Sequence, residues 1–89
     1  MPELVVRSKR SAERELLRLP DEVQDRFIAA MRQLRDSSEF PPAGLDIVRL
    51  RGTRDGWRLR IGSYRAFFFL AAGEAVFTRF GHRSNVYSP

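Results

Sequence analysis

An α+β two-layer sandwich is the fold class the sequence predicts, with element order β-α-α-β-β-β and a helical hairpin packed on an antiparallel-meander sheet. Three observations carry this expectation. Leu4, Val5 and Val6 form a short apolar run suited to a strand. Residues 8–34 carry apolar side chains at helical spacing, interrupted once by Pro20. Residues 57–80 hold three strand-length segments separated by the turn dipeptides Gly62-Ser63 and Ala72-Gly73. Strand, helix pair and meander in that order give helices on one face of a sheet. At 89 residues, with 43% hydrophobic and 30% charged, the chain is expected to be one globular domain over residues 1–89.

Each element has a local reason. Ser8 is placed to cap the first helix, in which Ala12, Leu16 and Leu19 lie on one stripe. Pro20 interrupts that helix and suits the start of the next, whose first turn carries Asp21, Glu22 and Asp25, as the positive end of the helix dipole prefers. Val23, Phe27, Met31 and Leu34 form the stripe of the second helix, with Ile28 and Ala30 alongside. The segment DSSEFPPAG, from Asp36 to Gly44, ends that helix and crosses back as a loop. Ile47 to Leu50 is a candidate for a brief extended segment, and Gly52 to Gly56 for a turn. The meander strands are Trp57 to Ile61, Tyr64 to Leu70 and Ala75 to Phe80.

Charge is divided unevenly along the chain. Residues 1–46 carry eight Lys and Arg against nine Asp and Glu, a net of −1, whereas residues 47–89 carry eight arginines against Asp55 and Glu74, a net of +6. The formal +5 therefore belongs to the second half, which suits a polyanion or an acidic protein partner. The chain has no cysteine, which excludes disulfides and thiolate metal sites. The opening residues lack the pattern of a signal peptide, and the longest apolar stretch, Ala66 to Ala72, falls far short of the roughly 20 residues of a membrane helix. A cytoplasmic protein is the expectation.

The arginines give the functional reading. On a strand, alternate side chains share a face, so Trp57, Leu59 and Ile61 are expected to point to the helices while Arg58 and Arg60 stand together on the other side. That face is either the wet side of an amphipathic strand or a surface for phosphate. Arg65 tips the balance. It adjoins the apolar run Ala66 to Leu70 in a central strand, where an arginine is costly unless it meets an anion or a paired group. Asp55 and Glu74, the acids nearest in sequence, are too few to pair every arginine. Trp57, Tyr64, Phe67 and Phe69 are read mainly as core, with a base-stacking platform as the alternative.

These residues also carry a resemblance. The element order, the segment KRSAERELLRLP from Lys9 to Pro20, the hairpin RLRIGSYR from Arg58 to Arg65 and the ending GHRSNVY from Gly81 to Tyr87 resemble the RelE/ParE superfamily of toxins from prokaryotic type II toxin-antitoxin modules. The hairpin and the ending are closer to the RelE branch. The resemblance implies an endoribonuclease that cuts messenger RNA in the decoding site of a translating ribosome, inhibiting translation. There the 2′-hydroxyl attacks the adjacent phosphate, leaving a 2′,3′-cyclic phosphate and a 5′-hydroxyl, with no metal or other cofactor. It further implies that Arg58 and Arg60 form the basic pair, that Arg65 binds phosphate, that Arg83 acts as acid or charge stabiliser, and that Tyr87 stacks on or orients the nucleotide. A cognate antitoxin with an acidic, partly disordered segment is the implied protein partner, in a hetero-oligomer, beside the ribosome and its messenger.

Two departures from the family's pattern bear on the chemistry. Arg60 stands where well-studied ribonucleases of the family carry lysine, and a guanidinium with a pKa above about 12 is a poor base at neutral pH. His82 is therefore a candidate to share or replace the proton transfer, its alternative role being to cap the last strand or pack at its edge. The second departure is the ending: two residues follow Tyr87, so no C-terminal helix is expected, and Tyr87 falls on a frayed tail unless its ring packs. The competing readings are a ParE-like inhibitor of DNA gyrase and a non-catalytic RNA-binding relative.

Overall fold

The computed structural model describes residues 4–87. Its elements run β1 (Val5–Ser8), α1 (Arg10–Leu17), α2 (Asp21–Asp36), β2 (Asp46–Arg49), β3 (Gly56–Ile61), β4 (Tyr64–Ala71) and β5 (Glu74–His82). The expected α+β sandwich with two helices on a meander is present, and the segment after the loop is a full edge strand. The sheet has five strands in the order β1-β5-β4-β3-β2, mixed because β1 runs parallel to β5 while the remaining pairs are antiparallel.

The helix boundaries differ in detail from the expectation. Ser8 is the last residue of β1, and Lys9 is the N-cap of α1 without a side-chain cap hydrogen bond. α1 stops at Leu17, two residues before the last position of its sequence stripe. Gln24 explains how the tight turn to α2 is held: its Nε2 donates to the carbonyls of Leu19 at 2.7 Å and Leu17 at 3.2 Å, satisfying acceptors that the end of α1 leaves open. Pro20 is the N-cap of α2, and Asp21 and Glu22 sit in its first turn. Phe27, Ala30 and Leu34 are buried along α2, whereas Ile28 is partly exposed. At the far end Arg35 hydrogen-bonds Asp36 and holds that carboxyl below its usual range. Among the described residues no helix is long and apolar enough to cross a membrane.

Four phenylalanines dominate the core. Phe77 stacks on Phe68 at 4.8 Å and on Phe80 at 5.5 Å between ring centroids, and Phe27 of α2 meets Phe80 edge-on at 5.3 Å. Strict alternation would send Phe77 and Phe80 to opposite faces. A register shift resolves this: Phe67 pairs with Arg79 but Phe68 with Phe77, leaving Thr78 as the extra residue of a bulge, so both rings face the helices.

The same stretch of β5 is finished by a helix. β1 pairs with β5 only as far as Phe77, which leaves the following edge unpaired. Glu15 of α1 fills that edge, its Oε1 accepting the Phe80 N–H at 3.0 Å and its Oε2 accepting from Arg79 Nε at 3.1 Å. A carboxylate in the second turn of α1 thus fixes the strand that leads to the turn at residues 83–87.

Candidate functional site

The face of the sheet away from the helices is set by register. β2, β3, β4 and β5 bring Val48, Arg58, Phe67 and Arg79 into one row and Asp46, Arg60, Arg65 and Gly81 into the next. Neighbouring strands lie about 4.8 Å apart, so Arg60 and Arg65 are direct cross-strand neighbours, and Arg58 is two residues along the same face. Leu59 and Ile61, which alternate with these arginines, are buried on the opposite face.

Arg65 is held by the turn that precedes it. Gly62 adopts φ +58°, the conformation a two-residue hairpin turn requires at its first central position, and its carbonyl accepts from Arg65 Nη1 at 2.9 Å. The same Nη1 donates to the Tyr64 carbonyl at 3.1 Å. The guanidinium is therefore anchored at one end. Among the described residues, the Nε atoms of Arg58 and Arg65 are the buried side-chain donors that lack a hydrogen-bond partner. A buried unpaired donor on a cation costs about 1–3 kcal/mol or more.

Asp46 is the site residue that sequence reasoning missed. Asp55 and Glu74 are the acids nearest in sequence, and Glu74 pairs with Arg7, at 3.4 Å. Asp46 reaches Arg60 Nε with Oδ2 at 2.6 Å and Arg58 Nη2 with Oδ1 at 3.7 Å. The signal was β2 itself: once residues 46–49 are read as a strand antiparallel to β3, Asp46 falls opposite Arg60.

Residues 83–87 fold over the same face. The Arg83 N–H donates to the Ser63 carbonyl at 2.8 Å, so Arg83 starts from the hairpin turn that also anchors Arg65, and its side chain is exposed. The N–H groups of Asn85 and Val86 both donate to the His82 carbonyl, closing a turn. Val86 is buried against Gly81, where an added Cβ would lie 3.2 Å from Val86 Cβ. Tyr87, the next residue, places its ring 5.3 Å from that of Phe67. Its ring thus rests on Phe67 while the residue stays 56% exposed, and with Val48, Leu50, Arg51 and Arg58 it lines an open cavity of about 430 Å³. Ser88 and Pro89 lie outside the described residues.

Gly81→Val is expected to dislodge this tail, because the new methyls need the volume Val86 occupies. Overpacking of this kind costs about 1–3 kcal/mol. The check is the Phe67–Tyr87 ring contact by nuclear Overhauser effect, expected to vanish while contacts within the Phe68–Phe77 stack persist.

His82 is not brought to the arginines. It shares a row with Tyr64 and Ile61, whose side chains pack on the helix side, and its ring meets Tyr64 edge-on at 5.3 Å. Its Nδ1 lies 2.8 Å from Ser84 Oγ and accepts the Ser84 N–H at 3.1 Å, engaging the imidazole in the terminal turn. Of the four rings weighed as core or platform, Trp57 and Tyr64 pack against the core, while Phe67 carries Tyr87 and Phe69 is 38% exposed on the arginine side. That side is therefore mixed, with cations and rings interleaved. Among the described residues no group of three or more His, Cys, Asp or Glu is placed to hold a metal.

Comparison with known proteins gives a consistent set of similarities. The family model for the ParE toxin of the type II toxin-antitoxin system parDE matches residues 6–87. Toxin RelE3 of Methanocaldococcus jannaschii is 24% identical over 74 residues, covering 83% of this chain and 84% of that protein. The RelB-RelE antitoxin-toxin complex from Methanococcus jannaschii contains a chain of similar fold, with TM-score 0.80 and 21% identity over 90% of this chain and 93% of that one. The archaeal RelE-RelB complex from Pyrococcus horikoshii OT3 gives TM-score 0.76 and 21% identity over 96% and 100%. The isolated Escherichia coli RelE toxin gives TM-score 0.72 at 14% identity over 89% and 83%.

Proposed function

The chain belongs to the family of ParE toxins of type II toxin-antitoxin systems, within the RelE/ParE superfamily, and from that premise we propose that it is a ribosome-dependent messenger-RNA endoribonuclease. The observation that carries this reading is the convergence of Arg58, Arg60 and Arg65 on one sheet face. Such a face suits the scissile phosphate of a nucleic acid, whose charge rises as the 2′-oxygen attacks. Preorganised donors act on that rise, because they are stronger at the transition state than at the ground state.

In this scheme the 2′-oxygen forms the new bond to phosphorus and the bond to the 5′-oxygen breaks, giving a 2′,3′-cyclic phosphate and a 5′-hydroxyl. Arg65, Arg58 and Arg60 take the charge on the phosphate oxygens. Arg83 approaches from the hairpin end as a further charge stabiliser, and Tyr87 offers its ring to a neighbouring base, at a stacking strength of about 1–3 kcal/mol. His82, turned to the other face, takes no part, and the protons pass to and from solvent and the ribosome. A site of so few groups depends on ribosomal RNA to align its substrate.

The protein partner in this reading is an antitoxin with an acidic segment that covers the arginine face, as the +6 half of the chain favours. The structures of similar fold include RelB-RelE complexes, which supports a partner of that kind. The second reading, inhibition of DNA gyrase, has in its favour that the matching family model is that of ParE. A messenger carrying a single 2′-deoxy nucleotide at a mapped cut position separates chemistry from mere binding. Loss of that cut, with others retained, is the expected result; cutting that persists at the 2′-deoxy position would rule out attack by the 2′-hydroxyl.

A further inference from the structure

We propose that Asp46 is a positioning residue of this site, a carboxylate that sets the guanidinium groups of Arg60 and Arg58 for phosphate without touching the substrate. The inference rests on the reading of the arginine face as a phosphate site. Arg58 and Arg60 are two residues apart on one face of β3, so their like charges repel, and each long side chain has many rotamers of similar energy. A single carboxylate opposes both effects. Asp46 stands opposite Arg60 in register and divides its two oxygens between the pair, Oδ2 on Arg60 Nε at 2.6 Å and Oδ1 toward Arg58 Nη2 at 3.7 Å.

The choice of atoms matters. The ion pair through Nε draws the Arg60 guanidinium toward Asp46 and leaves its Nη groups, the outer edge of the fork, for two oxygens of a phosphate. Arg60 and Asp46 remain accessible, with side chains 51% and 36% exposed. Beside them, at the edge of the sheet, opens a cavity of about 320 Å³ that Arg26, Gln33, Leu45 and Ile61 also line.

A negative charge beside a phosphate site opposes phosphate binding, so Asp46 carries a signature of opposite signs. Its removal strengthens attraction for RNA while releasing the arginines from their productive geometry. A residue that served only the fold would weaken both binding and rate together with stability.

The test uses Asp46→Asn, which removes the charge and keeps the shape, and Asp46→Glu, which keeps the charge on a longer arm. Arginine Nε–H resonances of 15N-labelled protein report the Arg60 contact directly and need no ribosome. Cleavage on programmed ribosomes gives kcat and KM. In Asp46→Asn the Arg60 Nε–H is expected to shift and to exchange faster with water, kcat to fall about 100-fold as for a misplacement of an ångström, and KM to stay unchanged or decrease. Asp46→Glu is expected to recover part of kcat. An Arg60 Nε–H unchanged by Asp46→Asn would overturn the proposal. A lost contact with kcat unaltered would do so as well. A fall in kcat with the Nε–H unmoved would mean that Asp46 acts on the substrate itself. If the unsubstituted protein cleaves nothing, the functional reading fails, and the Nε–H comparison still decides whether Asp46 holds the arginines.

Discussion

Arg65→Ala is expected to slow cleavage on the ribosome by about 1000-fold, corresponding to roughly 4 kcal/mol of transition-state stabilisation. Arg65 differs from its neighbours in being anchored by protein carbonyls through Nη1 while its buried Nε has no partner. A guanidinium held in this way needs little rearrangement when charge develops on the phosphate. Ribosome binding is expected to change by less than about tenfold, because one arginine of eight in the basic half contributes little to the long-range field. Arg65→Lys should recover only a small part of the rate, since an ammonium cannot hold two carbonyls and still present a fork. Single-turnover cleavage with saturating protein, beside a filter-binding measurement, separates the two effects. Equal losses in rate and affinity would make Arg65 a binding residue only.

Phe77→Ala is expected to cost about 3–5 kcal/mol, the usual penalty for emptying a buried phenylalanine site. Phe77 is fully buried between Phe68 and Phe80, on the strand that also carries the bulge and the contacts to Glu15. Natural domains are stable by about 0.05–0.15 kcal/mol per residue, so this loss is a large part of the total for so short a chain. A fall in melting temperature of about 15–30 °C is the corresponding result in a thermal denaturation followed by circular dichroism. A fall of only a few degrees would mean that the stack is not the centre of the core.

The parts of this molecule that were legible in its sequence are those with local causes. Alternation placed Leu59 and Ile61 against the helices and Arg58 and Arg60 away from them, and Gly62-Ser63 and Ala72-Gly73 marked both hairpins because their backbones turn as hairpins require. What escaped was non-local. Ile47 to Leu50 reads as a brief extended segment, but neither its start at Asp46 nor its partner can be read there, so Asp46 could not be assigned to Arg60 before the pairing of β2 with β3 was known. The bulge at Thr78 has no sequence signature, yet it decides that Phe80 faces the helices and that Arg79 reaches Glu15. The position of His82 follows from the same registers: one residue after Gly81 along the strand and paired with Tyr64, it points to the other side of the sheet. Tyr87 meets Phe67 because Val86 finds the space that Gly81 leaves open, a fit between residues on two sides of a turn.

The most direct measurement of the central claim is primer extension on a defined messenger in a reconstituted translation reaction, with the protein added at one concentration and ribosomes present or absent. New 5′ ends within the ribosomal decoding site, formed only with ribosomes and lost with Arg65→Ala, are the predicted result. Intact messenger with normal protein output, accompanied by inhibition in a gyrase supercoiling assay, would contradict the ribonuclease reading and make the arginine face a surface for that enzyme.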